Sequence, residues 1–340
     1  MINIALLLGG DSSEREISWK TALSMHGALS PEKYCIAVWD VTSRVLAREE
    51  IGVDESRLAP DEIAALQTWW RELGENARRT NWRDLSTALI ENQIEVSLPA
   101  LHGGWGEDGT LQTLLKVAGI RYVGSPPRAS VVAMDKNLGK AVARDLGIAV
   151  ARGEVLTDPK STPDFRGKVV VKPNDGGSSV GVAIVDSRDE NAFRAALENT
   201  LKSGAALVEE FVSGVEVTAA IVGSGENARG LPLVEIVPQS AWYDFQSKYA
   251  AGGSQHLIPP RLSEEIQARI ADQAMKFYRA LDCRGVARSD WIVTPEGVPY
   301  FLEINTLPGM TRTSLVPDAA RAGGISFESL LEQLSEDALA

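Results

Sequence analysis

The sequence predicts an α/β protein, and three observations support this fold class. Residues 2–8 form a continuous apolar run, as expected of a parallel strand that is buried on both faces. Glycines 9 and 10 follow this run and lead into a helical pattern, which is the usual opening of an α/β domain. Further apolar runs then alternate with helical patterns, as at 96–101 and 110–118.

The composition argues against several functional classes. The chain has 340 residues, enough for two or three domains, and a net charge of −12, which does not suit a protein that coats nucleic acid. No apolar run reaches the length of a membrane span. Two cysteines and three scattered histidines predict neither a disulfide framework nor a zinc site. We therefore expect a cytoplasmic protein without nucleic-acid or membrane partners.

Two early segments carry competing interpretations. Within 43–92, Trp69 and Trp70 recur with apolar residues at helical spacing, which favours an added helical excursion packed on its own domain over a partner surface. Residues 104–109 form G-x-G-x-x-G between a predicted strand and a helix. The next strand, 121–124, lacks the acid that would bind a ribose, so we disfavour a nicotinamide-dependent dehydrogenase.

The middle of the chain, from a predicted helix at 130–146 onward, has the residues of an anion site. Lys172 ends a predicted strand and a Gly/Ser-rich turn follows to 181, so backbone N–H groups and one lysine are available to a phosphate. A tight hairpin without a ligand is the alternative. Glu209 and Glu216 stand at strand ends, where they are either nucleotide ligands or solvated acids. Residues 239–260 predict a long loop whose aromatic residues and glycines suit a lid.

A predicted β-hairpin near the C-terminus has the residues of a metal site. Residues 289–294 and 298–304 have strand character and flank a Pro-Glu-Gly turn. Antiparallel pairing about this turn brings Asp290 close to Glu303 and Asn305, and oxygen ligands of this kind suit Mg²⁺. A solvated hairpin with ordinary surface acids is the alternative.

Eight motifs in order resemble the D-alanine–D-alanine ligase family of the ATP-grasp superfamily. They are GGDSSEREIS (9–18), LHGGWGEDG (101–109), MDK (134–136), VKPNDGGSSVG (171–181), EEFVSGVEVT (209–218), YDFQSKY (243–249), ARSD (287–290) and LEINTLPGMTRTSLVP (302–317). The resemblance covers nearly the whole chain except 43–92.

The resemblance implies an α/β architecture of three parts. A Rossmann-like N-terminal α/β domain spans 1–124, and two ATP-grasp subdomains, 125–212 and 213–340 with the lid 239–260, clamp ATP between antiparallel sheets. The implied reaction joins two D-alanines through a D-alanyl phosphate, giving ADP and phosphate, for peptidoglycan precursor synthesis. It implies two Mg²⁺ ions, with Mn²⁺ as an alternative, and a homodimer. An ATP-grasp ligase for another D-amino-acid or D-hydroxy-acid pair is the main alternative, and a nucleotide-binding scaffold with a decayed site is disfavoured.

The family's motifs assign roles to residues of this sequence. Catalytic roles fall on Glu14, Ser178, Tyr249, Arg288 and Gly309. Amino-acid binding falls on His102, Lys248, Ser314 and Leu315. ATP binding falls on Lys136, Lys172, Glu209, Phe211, Val212, Glu216, Trp242 and Leu302. Metal binding falls on Asp290, Glu303 and Asn305.

The resemblance also gives these groups a division of labour. Glu14 would anchor the first substrate's ammonium, while Arg288 and the Gly309 N–H would stabilise the oxyanion of the tetrahedral intermediate. Tyr249 points to amide formation, because relatives that make D-alanyl-D-lactate carry histidine in the corresponding lid. Trp19 and Trp105 depart from the family pattern beside the first-substrate region, so altered selectivity there is a further hypothesis.

Overall fold

The computed structural model describes residues 1–43, 51–177, 181–238 and 254–340. Three β-sheets organise this part of the chain. The first is a five-stranded parallel sheet of order β3-β2-β1-β4-β5. Its strands are β1 (Ile2–Gly9), β2 (Tyr34–Thr42), β3 (Ala77–Asn81), β4 (Val96–Pro99) and β5 (Arg121–Tyr122). The fold class predicted from the alternating strands and helices is confirmed.

The other two sheets are antiparallel. The four-stranded sheet has the order β6-β9-β7-β8, and the six-stranded sheet has the order β13-β12-β10-β14-β15 with β11 paired to β10. The four-stranded sheet consists of β6 (Gly153–Leu156), β7 (Lys168–Pro173), β8 (Ala183–Asp186) and β9 (Ala206–Glu210). The six-stranded sheet consists of β10 (Val215–Val222), β11 (Arg229–Gly230), β12 (Val234–Pro238), β13 (Ser254–Leu257), β14 (Val286–Val293) and β15 (Pro299–Asn305).

Helices cover the sheets and connect them. In the described residues they are α1 (Arg15–His26), α2 (Pro60–Glu72), α3 (Leu85–Glu91), α4 (Thr110–Val117), α5 (Pro127–Met134), α6 (Lys136–Asp145), α7 (Glu190–Leu201), α8 (Glu264–Ala280), α9 (Leu315–Ala322) and α10 (Phe327–Leu339). None of these helices combines the length and the apolar character that crossing a bilayer requires.

Three sequence predictions about individual elements need correction. The single helix predicted over 130–146 is two helices, because Asp135 leaves helical geometry, caps α6 through Leu138 N and forms a β-bridge with Asp175. The segment 43–92 is not only helical, since β3 adds a parallel edge strand beside β2. Within the predicted loop 239–260, residues 254–257 form strand β13, which pairs with β12.

The sheet against which two of the helices pack does not follow from their order in the chain. Helices α5 and α6 precede the four-stranded sheet in the chain, but Ala129 and Ala143 are fully buried in the core of the six-stranded sheet. Helices α5 and α6, which lie within the predicted subdomain 125–212, thus pack on the six-stranded sheet. The four-stranded sheet has a separate small core with α7, in which Phe193 and Leu197 are buried.

Trp19 of α1 is accounted for by packing within the protein. Its side chain is fully buried, with ring centroids 5.0 Å from Trp70 and 6.1 Å from Trp69 in edge-to-face arrangements. Both partners lie on α2, within the segment 43–92 that the family resemblance does not cover. The tryptophan at position 19, which departs from the family pattern, therefore packs against this segment. Trp105 is half exposed and contacts Trp82 in an edge-to-face arrangement, with ring centroids 5.3 Å apart.

We expect Trp19→Ala to lower the free energy of unfolding by about 3–5 kcal/mol, because it leaves a cavity in a closed aromatic cluster. Val117→Ala is the matched control, since Val117 is 84 % exposed and should change stability by less than about 0.5 kcal/mol. Urea unfolding followed by circular dichroism measures both. Equal stability of the two variants would show that the cluster contributes little.

Candidate active site

A cavity of about 540 Å³ lies between the two antiparallel sheets. The residues that line it and were predicted to bind a nucleotide are Lys136, Lys172, Glu209, Phe211, Val212, Glu216 and Leu302. Asp290 and Glu303 line the same cavity. The fold thus gathers into one space side chains that are far apart in the sequence.

A larger cavity, of about 800 Å³, lies elsewhere, beside β5 and α10. None of the predicted site residues lines it. Its charged groups include Arg284 and Arg128, which lie 3.2 Å and 4.0 Å from the Asp282 carboxylate. Chemistry, and not size, therefore selects the cavity between the sheets.

A buried carboxylate between two lysines forms one wall of this cavity. Glu209 Oε1 lies 2.5 Å from Lys140 Nζ, and Oε2 lies 2.6 Å from Lys172 Nζ. Burial lowers the pKa of Lys140 to about 8, although Glu209 acts in the opposite direction. Burial alone would raise the pKa of Glu209, but the two ammonium groups outweigh it and hold that pKa below its usual value. We call these three residues the Lys–Glu–Lys triad.

The Gly/Ser-rich turn after β7, predicted to bind phosphate, is called here the phosphate-type turn, and Lys136 joins it to the predicted metal residues. Its Nζ donates to the Gly176 carbonyl and lies 3.5 Å from Glu303 Oε2. Its backbone N–H, at the start of α6, donates to the Asn174 carbonyl at 3.0 Å. The ammonium is therefore placed between the turn after β7 and the carboxylate on β15.

The predicted metal residues lie on the paired strands β14 and β15. Asp290 is the register partner of Glu303, and Arg288 is the partner of Asn305. Arg288 Nε and Nη2 donate to the two oxygens of Asp290 at 3.0 and 2.8 Å, and Thr218 Oγ1 donates to Oδ1 at 2.6 Å. The carboxylate of Asp290 is thus fixed in orientation by two neighbours.

This donor set fits a hard cation. Two carboxylates and one amide oxygen share the end of a hairpin, and oxygen ligands are those that Mg²⁺ prefers. Among the described ranges, no three His, Cys, Asp or Glu side chains gather into a metal cluster. Asn305 and oxygens of a bound phosphate would therefore have to complete the coordination of an ion held by Asp290 and Glu303.

Glu14 lies where the parallel sheet meets the turn after β7. Its carboxylate is buried, and Oε2 would lie 3.1 Å from a Cβ placed on Gly103 and 3.2 Å from one placed on Gly177. Gly103 also has a φ of +66°, so both the space and the backbone favour glycine. His102 is buried beside this point, with Nε2 2.9 Å from Thr21 Oγ1. These contacts explain why a glycine stands at position 103.

The loop that leads to Glu14 is fixed by a buried ion pair. Arg15 Nη2 donates to Asp40 Oδ2 at 2.8 Å, and burial raises the pKa of Asp40 although Arg15 opposes this shift. A Cβ on Gly9 would lie only 2.2 Å from Asp40 Oδ1, and its φ is +97°. The glycine therefore leaves the space that the ion pair fills.

The predicted second-substrate residues stand at the N-terminus of α9. Ser314 precedes this helix, and its Oγ accepts from the Thr311 N–H at 3.1 Å. A Cβ on Gly309 would lie 3.2 Å from Ser314 Oγ, so the two residues are close. Leu315, the first residue of α9, is buried. Four other predicted residues, at 178, 242, 248 and 249 (Ser178, Trp242, Lys248 and Tyr249), lie outside the described residues.

Lys140 and Thr218 belong to the site but were not predicted from the sequence. Lys140 looks like an ordinary charge on a helix, and only its spacing of four from Lys136 places it on the same helix face. Thr218 ends a predicted motif, but nothing in the sequence pairs it with Asp290. Glu235 and Arg261, which pair at 2.5 Å, also line the cavity without having been predicted.

Comparisons with known proteins give a consistent family. A family model described as the D-ala D-ala ligase N-terminus matches residues 3–125, and one described as the C-terminus matches 159–336. The D-alanine–D-alanine ligase of Pelotomaculum thermopropionicum is 37 % identical, covering 99 % of this chain and 97 % of the relative. That of Desulforudis audaxviator is 38 % identical, covering 97 % and 96 %.

Solved structures agree with the sequence relatives. A D-alanine–D-alanine ligase from Bacillus anthracis, complexed with ATP, has a TM-score of 0.73 and 29 % identity over 100 % of this chain and 97 % of that one. The VanG D-Ala:D-Ser ligase from Enterococcus faecalis has a TM-score of 0.76 and 26 % identity over 99 % of each chain.

Proposed function

We propose how the residues of this chain, which belongs to the D-alanine–D-alanine ligase family, carry out the ATP-dependent ligase reaction. The chain is an enzyme of the ATP-grasp fold whose reaction supplies a peptidoglycan precursor, D-alanyl-D-alanine. One observation supports the assignment of the site above all: lysines, acids and apolar residues from both antiparallel sheets line one cavity, and Glu14 adjoins its phosphate-type turn.

The nucleotide would occupy the cavity between the sheets. The apolar side chains of Phe211, Val212 and Leu302 suit the adenine ring, and Glu216 at the start of β10 suits the ribose hydroxyls. Lys172 and Lys136 would neutralise the phosphates. The carboxylate of Glu209 already pairs with two lysines, so we assign it mainly to holding Lys172. It would also accept a hydrogen bond from the adenine amine.

Phosphoryl transfer would take place at the β14–β15 hairpin. The carboxylate of the first D-alanine attacks the γ-phosphate, so ADP leaves and D-alanyl phosphate forms. Asp290, Glu303 and Asn305 would hold Mg²⁺ or Mn²⁺ here. A bound divalent ion would supply charge neutralisation of the transferring phosphoryl group. Glu14 would hold the ammonium of the first D-alanine, with His102 beside it.

Peptide-bond formation would follow at the same place. The amine of the second D-alanine attacks the carbonyl of D-alanyl phosphate, and phosphate leaves as the tetrahedral intermediate collapses. Arg288 and the Gly309 N–H would donate to the oxyanion of that intermediate. Ser314 and Leu315 at the start of α9 would receive the second substrate, with Lys248 as a further contact. Ser178 and Tyr249 remain proposed partners of Glu14, and Trp242 a proposed neighbour of adenine.

The domains, compartment and assembly are also proposals. We divide the chain at 1–124, 125–212 and 213–340, which the separate sheets support although α5 and α6 pack on the third part. Cys35 and Cys283 are free thiols, which favours a reducing cytoplasm. The family resemblance favours a homodimer, and light scattering at several protein concentrations measures it.

Phosphate release from ATP tests the proposed function. We expect release that depends on D-alanine, with D-alanyl-D-alanine identified by mass. Parallel reactions with added D-serine or D-lactate test the selectivity for the second substrate. A chain that releases phosphate only with D-serine or D-lactate would move the assignment to another ligase of this fold. Absence of any amino-acid-dependent release would contradict it.

A further inference from the structure

We propose that Lys140 is a positioning residue of the nucleotide site, which acts through Glu209 to set the charge that Lys172 presents to the phosphate chain. The proposal rests on the proposed function, because it concerns the cavity that we assign to ATP. Lys140 itself does not line this cavity, whereas Glu209 and Lys172 do. Its contact with Glu209 is the route by which it can change the pairing of Lys172.

Glu209 contacts both lysines of the triad, so it links Lys140 to Lys172. The side chain of Lys140 is 2 % exposed and that of Glu209 is 4 % exposed, so water does little to screen them. Each oxygen of Glu209 faces a different ammonium, at 2.5 and 2.6 Å. The Lys172 side chain is 12 % exposed, which leaves it in contact with the cavity.

The charges of the Lys–Glu–Lys triad do not cancel. Two ammonium groups and one carboxylate leave one positive charge, and a nucleotide phosphate is the anion that the cavity is proposed to take. Without Lys140, Glu209 would neutralise Lys172 alone. Lys172 would then present no net charge to a phosphate, which should weaken the binding of an anion markedly.

A role as scaffold alone explains Lys140 poorly. Its Nζ also donates to the Phe301 carbonyl at 3.3 Å, which joins α6 to β15. Burial of an ammonium is nevertheless costly, and an apolar residue in a well-packed interior would avoid that cost. The charge of Lys140 therefore requires a reason beyond packing, and the nucleotide site supplies one.

Inhibition by ADP and by adenosine, both competing with ATP, separates charge from packing. We expect Lys140→Met to raise the inhibition constant of ADP about tenfold or more, as a lost charge near the phosphates should. The constant for adenosine, which has no phosphate, should change less than about twofold. An unchanged constant for ADP, or an equal loss for both inhibitors, would overturn the proposal.

A double-mutant cycle tests the route through Glu209. In a Glu209→Gln background, Lys140→Met should have a much smaller effect on ADP, because no carboxylate is left to pair fully with Lys172 when Lys140 is removed. Persistence of the full effect would mean that Lys140 does not act through Glu209. Glu209→Gln alone should raise the preference for ADP, meaning that the inhibition constant of ADP falls relative to that of adenosine. This opposite result tests the charge argument even if Lys140→Met fails to fold, and an unchanged or reduced preference would contradict it.

Lys276→Met is the matched control for loosening of α6. Lys276 Nζ donates to the Leu146 carbonyl at 2.6 Å, just after α6, and Lys276 does not line the cavity. Both inhibition constants should stay within about twofold. A loss of ADP binding equal to that of Lys140→Met would make helix position the cause and overturn the proposal. The wild-type chain distinguishes failure of the proposed function from failure of this inference. If it does not bind ADP at all, the proposed function is contradicted. If it binds ADP normally and Lys140→Met has no effect, only this inference is contradicted.

Discussion

Arg288→Ala should lower kcat by about 10²- to 10³-fold, which is the loss usually seen when an oxyanion donor is removed. The guanidinium is held rigidly, because two of its nitrogens donate to Asp290 at 3.0 and 2.8 Å. A rigid donor needs no reorganisation as charge develops on the carbonyl oxygen. Steady-state rates at saturating ATP, D-alanine and Mg²⁺ measure the effect, and near-normal turnover would contradict this role.

The same variant also removes a partner of Asp290, so the two effects must be separated. Thr218→Val removes the hydrogen bond to Asp290 Oδ1 and keeps Arg288. If Arg288 mainly orients Asp290, both variants should recover their rates at high Mg²⁺. If Arg288 acts on the oxyanion, only Thr218→Val should recover. Arg288→Lys keeps the charge without the planar fork and should restore little activity.

Glu303→Gln should raise the Mg²⁺ concentration needed for the half-maximal rate by roughly 10- to 100-fold. The substitution keeps the size of the side chain but removes the charge that faces Asp290 across the hairpin and Lys136 at 3.5 Å. Initial rates over a range of Mg²⁺ concentrations measure the shift. An unchanged requirement would place the metal elsewhere.

Glu296→Gln is the control for this second prediction. Glu296 lies in the exposed turn of the same hairpin and does not line the cavity. It removes the same charge from the same supersecondary unit, so a general effect on hairpin stability would appear in both variants. We expect the Mg²⁺ requirement of Glu296→Gln to match that of the wild-type chain.

Local chemistry made the β14–β15 hairpin predictable. The turn at Pro295–Gly297 and the branched residues around it specify antiparallel strands, and their pairing puts Asp290 opposite Glu303. Strand β13 was not predictable in this way. Its sequence, Ser-Gln-His-Leu, has little strand character, and the strand exists because β12 offers it a partner.

Long-range contacts account for the remaining differences. Asp135 is a residue type that often caps a helix, but helical spacing of the apolar residues continues on both sides of it, so the sequence alone does not require a break there. The break arises from contacts with residues 174 and 175, on a turn that comes much later in the chain. Likewise, the partner of Lys140 lies on β9, and a lysine that will be buried does not differ in sequence from one that stays in water.

The distribution of the cores has a consequence for cooperativity. One continuous core includes Leu6 of the parallel sheet, Val222 of the six-stranded sheet and Leu315 of α9. The core of the four-stranded sheet is separate and small, and the contacts that join it to the rest include polar ones, such as those of Glu209 and Asn174. This sheet should therefore melt first, as its own unit. A nucleotide that contacts both antiparallel sheets would stabilise them together, so that the two unfolding transitions merge into one.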